Sequence, residues 1–153
     1  MSHEAALNKL KNVITFEFDH VGIAVNSLSE GQKFYSTLGL GADSSSEEVT
    51  SEKVRVQMFE LANSCRIELL EPTSDDSTIA KFLKNRGPGI HHICLRVSDI
   101  HTALTRVKEA GLRLVHEKPF RGAHDCDVAF VHPAATGGVL IELSEYKGKG
   151  KSR

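Results

Sequence analysis

The nonapeptide Gly89-Ile90-His91-His92-Ile93-Cys94-Leu95-Arg96-Val97 reads as a strand carrying an imidazole. Its partner lies 72 residues earlier (92 minus 20), in Phe18-Asp19-His20-Val21-Gly22-Ile23-Ala24-Val25. In both, a histidine is followed by branched apolar residues at every second position. Val21, Ile23 and Val25 alternate with His20, Gly22 and Ala24; Ile93, Leu95 and Val97 alternate with His92, Cys94 and Arg96. Period-two alternation marks a strand with one face packed and the other open. A duplicated strand with a histidine on its open face predicts two copies of one unit sharing a site.

Outward from these strands the elements recur in order. After the strand at 18–25, Asn26-Ser27-Leu28-Ser29 offers N-caps for a helix with Leu28, Phe34, Tyr35 and Leu38 on one side, ended by Gly39. Residues 40–49 form a weak polar strand whose 43–48 segment reads as exposed edge or loop, and 54–59 and 66–70 form a hairpin. A turn-rich stretch then leads to a short helix at 78–85, broken by Arg86-Gly87-Pro88-Gly89. The second round gives a strand at 90–97, a helix at 99–110 closed by Gly111, a strand at 112–116, and hairpin strands at 127–132 and 138–144. A βαβββ repeat of about 70 residues accounts for the chain better than two separate domains. The predicted fold class is α+β, two paired βαβββ modules forming a shared metal-binding cavity, with each half-sheet covered on its other face by its helix. The expected organisation is an N-terminal arm at 1–17, a single domain at 18–145 and a flexible basic tail at 146–153. Within the domain, module one spans 18–71, a linker helix 72–88 and module two 89–145.

Of 153 residues 25% are charged, and the net charge is −1, so the basic excess of a nucleic-acid binder is missing. No apolar run approaches the roughly 18–20 residues that span a bilayer, and neither nucleic acid nor membrane is an expected partner. The first Arg is Arg55, and Glu4 and Glu17 interrupt any basic helix, unlike an organelle presequence. The expected compartment is the cytoplasm, or the mitochondrial matrix if a presequence is missing. Cys65, Cys94 and Cys126 are odd in number and fit no CxxC spacing, a reduced-compartment pattern of small buried side chains. Of the eight histidines, His3, His101 and His116 read as surface residues.

The last strand of each unit also repeats. Arg66-Ile67-Glu68-Leu69-Leu70 and Leu140-Ile141-Glu142-Leu143-Ser144 share Ile-Glu-Leu 74 residues apart (142 minus 68), nearly the offset of the two histidines. A lone Glu in a strand is usually a solvated outer-face residue. Four such residues, one pair per repeat and all on the helix-free parity, predict a divalent-metal site built from His20, Glu68, His92 and Glu142. Two imidazoles and two carboxylates suit cobalt, manganese, iron, nickel or zinc, and suit calcium or magnesium poorly. Four protein ligands around a six-coordinate ion leave two positions, so a substrate could chelate through two oxygens. Gly22 and Ala24 would leave room beside the metal. By alternation His91 points to the packed side, in an orienting or structural role, and Asp19 occupies the same place in the first repeat.

These residues resemble the vicinal-oxygen-chelate superfamily (glyoxalase, bleomycin-resistance and dioxygenase proteins), and within it the methylmalonyl-CoA epimerase family. The resemblance runs from about Phe18 to Leu143. It rests on Asp-His-Val-Gly-Ile-Ala-Val (19–25), Phe-Tyr-Ser-Thr-Leu-Gly (34–39), Ile-Glu-Leu-Leu-Glu-Pro (67–72), Ser-Thr-Ile-Ala-Lys-Phe-Leu (77–83), Gly-Ile-His-His-Ile (89–93), Gly-Ala-His (122–124), His-Pro (132–133) and Gly-Gly-Val-Leu-Ile-Glu-Leu (137–143). It implies a metal, cobalt foremost, on His20, His92 and Glu142, with Glu68 where bacterial members often carry Gln. It implies interconversion of (2R)- and (2S)-methylmalonyl-CoA by proton abstraction at C2 through a metal-chelated enolate, with an acyl-CoA as substrate.

The chain departs from the bacterial pattern on the third strand of module one. Bacterial members place a carboxylate there as a base, whereas Val56 or, one register off, Gln57 stands here, with Gln57 expected to face the cavity. Glu142 is therefore assigned as one base, and Glu68 or a loop carboxylate such as Glu47, Glu48 or Glu52 as the other. Lys81, Lys84, Arg86, Lys118, Arg121 and the Thr78 end of the short helix are available for the CoA phosphates. Residues 119–127 read as a loop over the cavity, with Asp125 where family members often have Gly. The competing readings are a glyoxalase-I-type lactoylglutathione isomerase, an extradiol dioxygenase and a metal-free small-molecule-binding protein. A homodimer through the 1–17 arm stays open.

Overall fold

The computed structural model describes residues 13–42 and 45–148. Its strands are β1 (Phe16–Ala24), β2 (Glu47–Val49), β3 (Val54–Glu60), β4 (Arg66–Pro72), β5 (Gly89–Val97), β6 (Phe120–Arg121), β7 (Cys126–Val131) and β8 (Ile141–Tyr146). Its helices are α1 (Leu28–Thr37), α2 (Thr78–Arg86) and α3 (Ile100–Glu109). Each helix starts where the sequence supplies a cap. The Ser27 hydroxyl accepts from Glu30 N, Ser77 from Ala80 N at 3.0 Å, and Asp99 from Thr102 N at 2.9 Å, satisfying donors that have no intrahelical partner. Gly39 and Gly111, at φ of 83° and 70°, follow α1 and α3 in the left-handed region where a Cβ is penalised.

The two modules share one continuous sheet in the order β2-β3-β4-β1-β5-β8-β7-β6. In each module the first strand pairs in parallel with the last, β1 with β4 and β5 with β8, and the modules join through the antiparallel β1–β5 pair. The repeat seen in the sequence is thus a structural duplication about the β1–β5 seam. On the outer face of module one, Val25, Leu28, Phe59 and Leu69 pack with Ile23, Tyr35 and Ile67. On that of module two, Val97, Ile100, Ala103, Leu104, Ala129, Val131 and Leu143 form the larger core. The linker helix α2 packs on the inner face instead, with Ile79 against Ala24, Val54, Val56 and Leu70.

Two expectations change. The strand expected at 112–116 is reduced to a single bridge between Leu114 and Val131. Phe130 O accepts from both Val115 N and His116 N, which breaks the one-to-one ladder, and the second strand of the module is the two-residue β6. The last strand begins at Ile141 rather than 138, because Gly137 and Gly138 have φ of 76° and 99° and belong to a turn. The start of the proposed arm, residues 1–12, and the end of the basic tail, residues 149–153, lie outside the described residues, as do His3 and residues 43–44. Among the described residues no helix is long and apolar enough to cross a membrane.

Candidate functional site

The sheet curls until its two edges meet. His124, in the turn between β6 and β7, donates its backbone N–H to Glu47 Oε2 on β2 at 3.1 Å, and Ala123 packs against the inner cluster of module one. The cavity between them has a volume of about 210 Å³ and opens to one side. Along β3 the residues lining it are Val54, Val56 and Met58; Gln57 pairs with Leu69, while Met58 pairs with Glu68. Cross-strand partners share a face, so Gln57 lies on the outer face, contrary to expectation, and Val56 presents an apolar wall.

His20, Glu68, His92 and Glu142 come from the four central strands, are all buried, and line this cavity. The two imidazoles approach through Nε2 at 3.2 Å. Glu68 Oε2 lies 3.2 Å from His20 Nε2 and 3.4 Å from His92 Nε2, and Glu142 Oε2 lies 3.2 Å from His92 Nε2. Nitrogen and oxygen ligands about 2.1 Å from one divalent ion stand roughly 3.0–3.4 Å from each other in octahedral or tetrahedral arrangements. The four predicted side chains therefore meet at a spacing that fits such an ion, and His20, His92 and Glu142 bring one donor atom each within 4.8 Å of one another. Asp19, His20 and Cys94 also converge. Asp19, however, is engaged by two guanidiniums, and burial pushes the Cys94 thiol up, so neither is a ready ligand.

Alternation fails next to both histidines, for one reason. The β1–β5 register skips a residue between Phe18 and His20 on β1, and another between Ile90 and His92 on β5, leaving Asp19 and His91 as bulge residues. Each is thereby turned to the cavity, where both line the wall, rather than to the packed side. Each holds the Nδ1 of the histidine that follows it. Asp19 Oδ2 accepts from His20 Nδ1 at 2.7 Å, and His91 Nδ1 pairs with His92 Nδ1 at 3.0 Å. Fixing Nδ1 leaves Nε2 of both rings for the site, the arrangement by which an outer partner sets the tautomer of a metal-ligating histidine.

Gly22 has a separate task. A Cβ at this position would meet the Cε1, Nδ1 and Nε2 atoms of His92, the last at 2.6 Å, so the imidazole occupies the space that any side chain would take. We expect Gly22→Ala to push the ring aside and to lower cobalt affinity by about 10–100-fold, the range for lost ligand orientation. Titration of cobalt into the metal-depleted variant, followed by visible absorbance, measures it.

Residues 19–130 match the family model of the Glyoxalase/Bleomycin resistance protein/Dioxygenase superfamily. The chain belongs to this superfamily. It is 40% identical over 130 residues to the mitochondrial methylmalonyl-CoA epimerase of Dictyostelium discoideum, covering 84% of this chain and 78% of that one. The crystal structure of methylmalonyl-CoA epimerase from Mycobacterium tuberculosis superposes with a TM-score of 0.81 at 38% identity, covering 86% and 89% of the two chains. A variant of the Streptomyces coelicolor methylmalonyl-CoA epimerase in complex with 2-nitronate-propionyl-CoA superposes with a TM-score of 0.79 at 31% identity, covering 86% and 97%.

In this member of the superfamily the electrostatics around His20, Glu68, His92 and Glu142 are set by buried pairs. Burial alone would raise the Asp19 carboxyl, but the His20 hydrogen bond and the Arg66 and Arg96 guanidiniums outweigh it and hold the group well below the usual carboxylate range. Burial would raise Glu68 and lower His20; the attraction between them reverses both, with His92 adding to it at Glu68 and the Asp19 bond at His20, so Glu68 is lowered and His20 raised. Burial dominates at Glu142, which is raised. His91, lowered to about 4 by burial and by the charge of His92, stays neutral beside it.

Several cavity residues had no strong signal in the sequence. Arg66 is 7% exposed and reaches Asp19; its place two residues before Glu68 on one strand face was the available clue. His116, expected at the surface, lines the cavity, with Nδ1 accepting from Phe130 N at 3.3 Å and its ring beside Phe120 and Phe130. His101 is exposed as expected, Cys94 and Cys126 are buried, and Cys65 is half-buried. Of the groups considered for CoA phosphates, Thr78 at the start of α2 lines the cavity, whereas Lys81, Lys84, Arg86, Lys118 and Arg121 are exposed outside it. Arg121 is paired with Asp125 and Asp127.

Proposed function

We propose that this chain is a divalent-metal-dependent epimerase that interconverts (2R)- and (2S)-methylmalonyl-CoA. The observation that carries the reading is the convergence of His20, Glu68, His92 and Glu142 at 3.2–3.4 Å in a buried cavity. That the site belongs to a chain about 40% identical to methylmalonyl-CoA epimerases supports the choice of substrate. Two imidazole nitrogens and two carboxylates favour a borderline cation, cobalt first, with manganese, nickel, iron or zinc as alternatives. When bound, the cation would supply Lewis-acid stabilisation of the negative charge that develops as the C2 proton leaves.

The remaining work falls to the chain. C2 of methylmalonyl-CoA lies between a thioester and a carboxylate, so its proton is weakly acidic and needs a base within hydrogen-bond reach. Glu142, which lines the cavity and touches only one of the two imidazoles in the ligand set, is assigned as one such base. Glu68 is held by both imidazoles and is kept for the cation. Val54, Val56, Leu70, Val128 and Phe130 line the cavity and exclude water from the carbanionic transition state, where fixed charges act most strongly. A cavity of about 210 Å³ takes the acyl head, which leaves the nucleotide end of CoA outside, near Thr78 and the exposed bases of α2.

The test is exchange. With cobalt added, the purified protein is expected to interconvert the two epimers and to replace the C2 proton with deuterium from deuterated water, with both activities lost on chelation. Turnover of the glutathione hemithioacetal of methylglyoxal, with methylmalonyl-CoA left untouched, would sink the assignment.

A further inference from the structure

We propose that His124, aligned by the Glu47 carboxylate, is the second proton-transfer group of the site, acting on C2 from the side opposite Glu142. The proposal rests on the epimerase reading above. Epimerisation at a carbon needs a proton removed from one face and returned to the other; Val56 is apolar and Glu68 is held by both imidazoles, so the second base falls to another cavity-lining group, among which are Glu52, His116 and His124.

The topology favours His124. The four metal-site residues stand on the central strands β4, β1, β5 and β8, which form the cavity floor. His124 and Glu47 stand on the two outer edges of the sheet, at the β6–β7 turn and on β2, where these edges meet across the cavity. His124 nevertheless lines the same cavity as Glu142. A substrate seated on the floor would thus have Glu142 on one side and the His124 imidazole on the other.

The local backbone is built for this placement. Cys126 N donates to Ala123 O at 3.2 Å, and the two central residues, His124 and Asp125, both have φ of 56°. This is a tight hairpin turn with two left-handed residues, which Asn-Gly or Asp-Gly would form without strain. Strained non-glycine residues persist where surrounding contacts over-determine them, and they cluster at functional sites. Here Asp125 is tied by its carboxylate to Arg121, and its carbonyl accepts from Lys147 N at 2.9 Å. The backbone N–H of His124 fixes Glu47 Oε2, which faces Nδ1 of the same ring at 3.6 Å. A carboxylate facing Nδ1 favours the proton on that nitrogen and leaves the Nε2 lone pair available.

Nε2 of His124 is buried and has no hydrogen-bond partner. Among the described residues only one other buried side-chain nitrogen or oxygen lacks a partner, Arg66 Nε, and Arg66 also lines this cavity. Burial lowers the His124 imidazole, Glu47 and Glu68 work against this, and Arg66 and His20 add to it; the net direction is down. The ring is then neutral near neutral pH and can accept a proton. For one epimer, His124 Nε2 takes the C2 proton and the C–H electron pair delocalises into the thioester as an enolate. The protonated Glu142 carboxyl then gives its proton to the opposite face of C2. For the other epimer the roles reverse. Exchange with solvent resets both groups, so no oxidant or co-reactant is needed.

The experiment follows C2 exchange in deuterated water separately from each pure epimer, using the cobalt-loaded protein. Loss of one of two bases stops exchange of only the epimer whose proton faces it; the other still exchanges with retention of configuration. His124→Ala is expected to abolish interconversion and exchange of one epimer by at least 100-fold, while exchange of the other stays within about threefold of wild type and cobalt content is unchanged. Glu142→Gln should show the opposite epimer preference. Glu47→Gln keeps an acceptor for the His124 N–H but removes the charge that raises the imidazole, so the limb of the pH profile that His124→Ala removes should move to lower pH. This second variant keeps the test open if His124→Ala folds poorly. Equal loss for both epimers, unchanged rates, or selective loss in Glu52→Gln (a half-buried carboxylate also lining the cavity) instead of His124→Ala would overturn the assignment. A wild-type protein that exchanges neither epimer would overturn the epimerase reading itself, a distinct result.

Discussion

Glu142→Gln is expected to slow epimerisation by about 10²–10⁴-fold, the usual contribution of a positioned general base, while Glu68→Gln stays within about tenfold of wild type. The two residues are equivalent in the repeat, both buried on inner strand faces and both lining the cavity. They differ in what they touch. Glu68 Oε2 is shared between His20 and His92 at 3.2 and 3.4 Å. Glu142 approaches only His92 at 3.2 Å, its other oxygen meeting the weak Cys94 thiol donor at 3.5 Å. A glutamine is nearly isosteric at either position and keeps a carbonyl oxygen for the metal, but it cannot accept a proton. The cost at position 68 is thus one negative charge near the cation, and at position 142 it is the base. Initial rates with methylmalonyl-CoA, taken beside cobalt content, separate the two, since both variants should retain metal. Equal losses would assign the residues a shared ligand role and remove Glu142 as the base.

The duplication was legible because it was written twice. His20 with His92, and Glu68 with Glu142, recur at offsets of 72 and 74 residues, and apolar alternation fixed the inner face of β4 and β8. Where the sequence reading failed, alternation itself had been interrupted. The two bulges in the β1–β5 seam turn Asp19 and His91 inward, and no local composition marks a bulge, because an extra residue is defined by the partner strand and not by its own neighbours. Gln57 was misplaced by the same one-residue sensitivity, in which a single slip exchanges the two faces of a strand. The Glu47–His124 contact joins the two edges of the sheet across 77 residues, a closure that depends on the twist of all the strands between them. Gly22, in contrast, was legible as a small residue on the site face, though the reason lay in the His92 ring above it.

Asp19→Asn should be the most destabilising single change at the site, lowering the unfolding free energy by about 3–5 kcal/mol, the range for breaking a buried ion pair by removing one partner. Asp19 is 1% exposed, and Arg66, whose guanidinium it holds, is 7% exposed. Arg96 Nε donates to the other Asp19 oxygen at 3.1 Å. An asparagine offers one acceptor and an unwanted donor to two guanidiniums, leaving a buried cation uncompensated. The carboxyl is depressed in the folded state, so its stabilisation is fully present above the unfolded carboxylate pKa of about 3.9 and is lost as pH falls through and below that range. Urea unfolding at pH 7 should therefore separate wild type and variant widely, and the gap should narrow on acidification as the wild type loses what the variant never had. A gap that stayed constant with pH would mean that packing, and not the charge, accounts for the loss. The same substitution removes the acceptor at 2.7 Å from His20 Nδ1 and should weaken cobalt binding by about 10–100-fold. Asp19 is thus expected to couple the β1–β4–β5 seam to the metal site, and a variant that lost stability while binding cobalt as the wild type does would break that link.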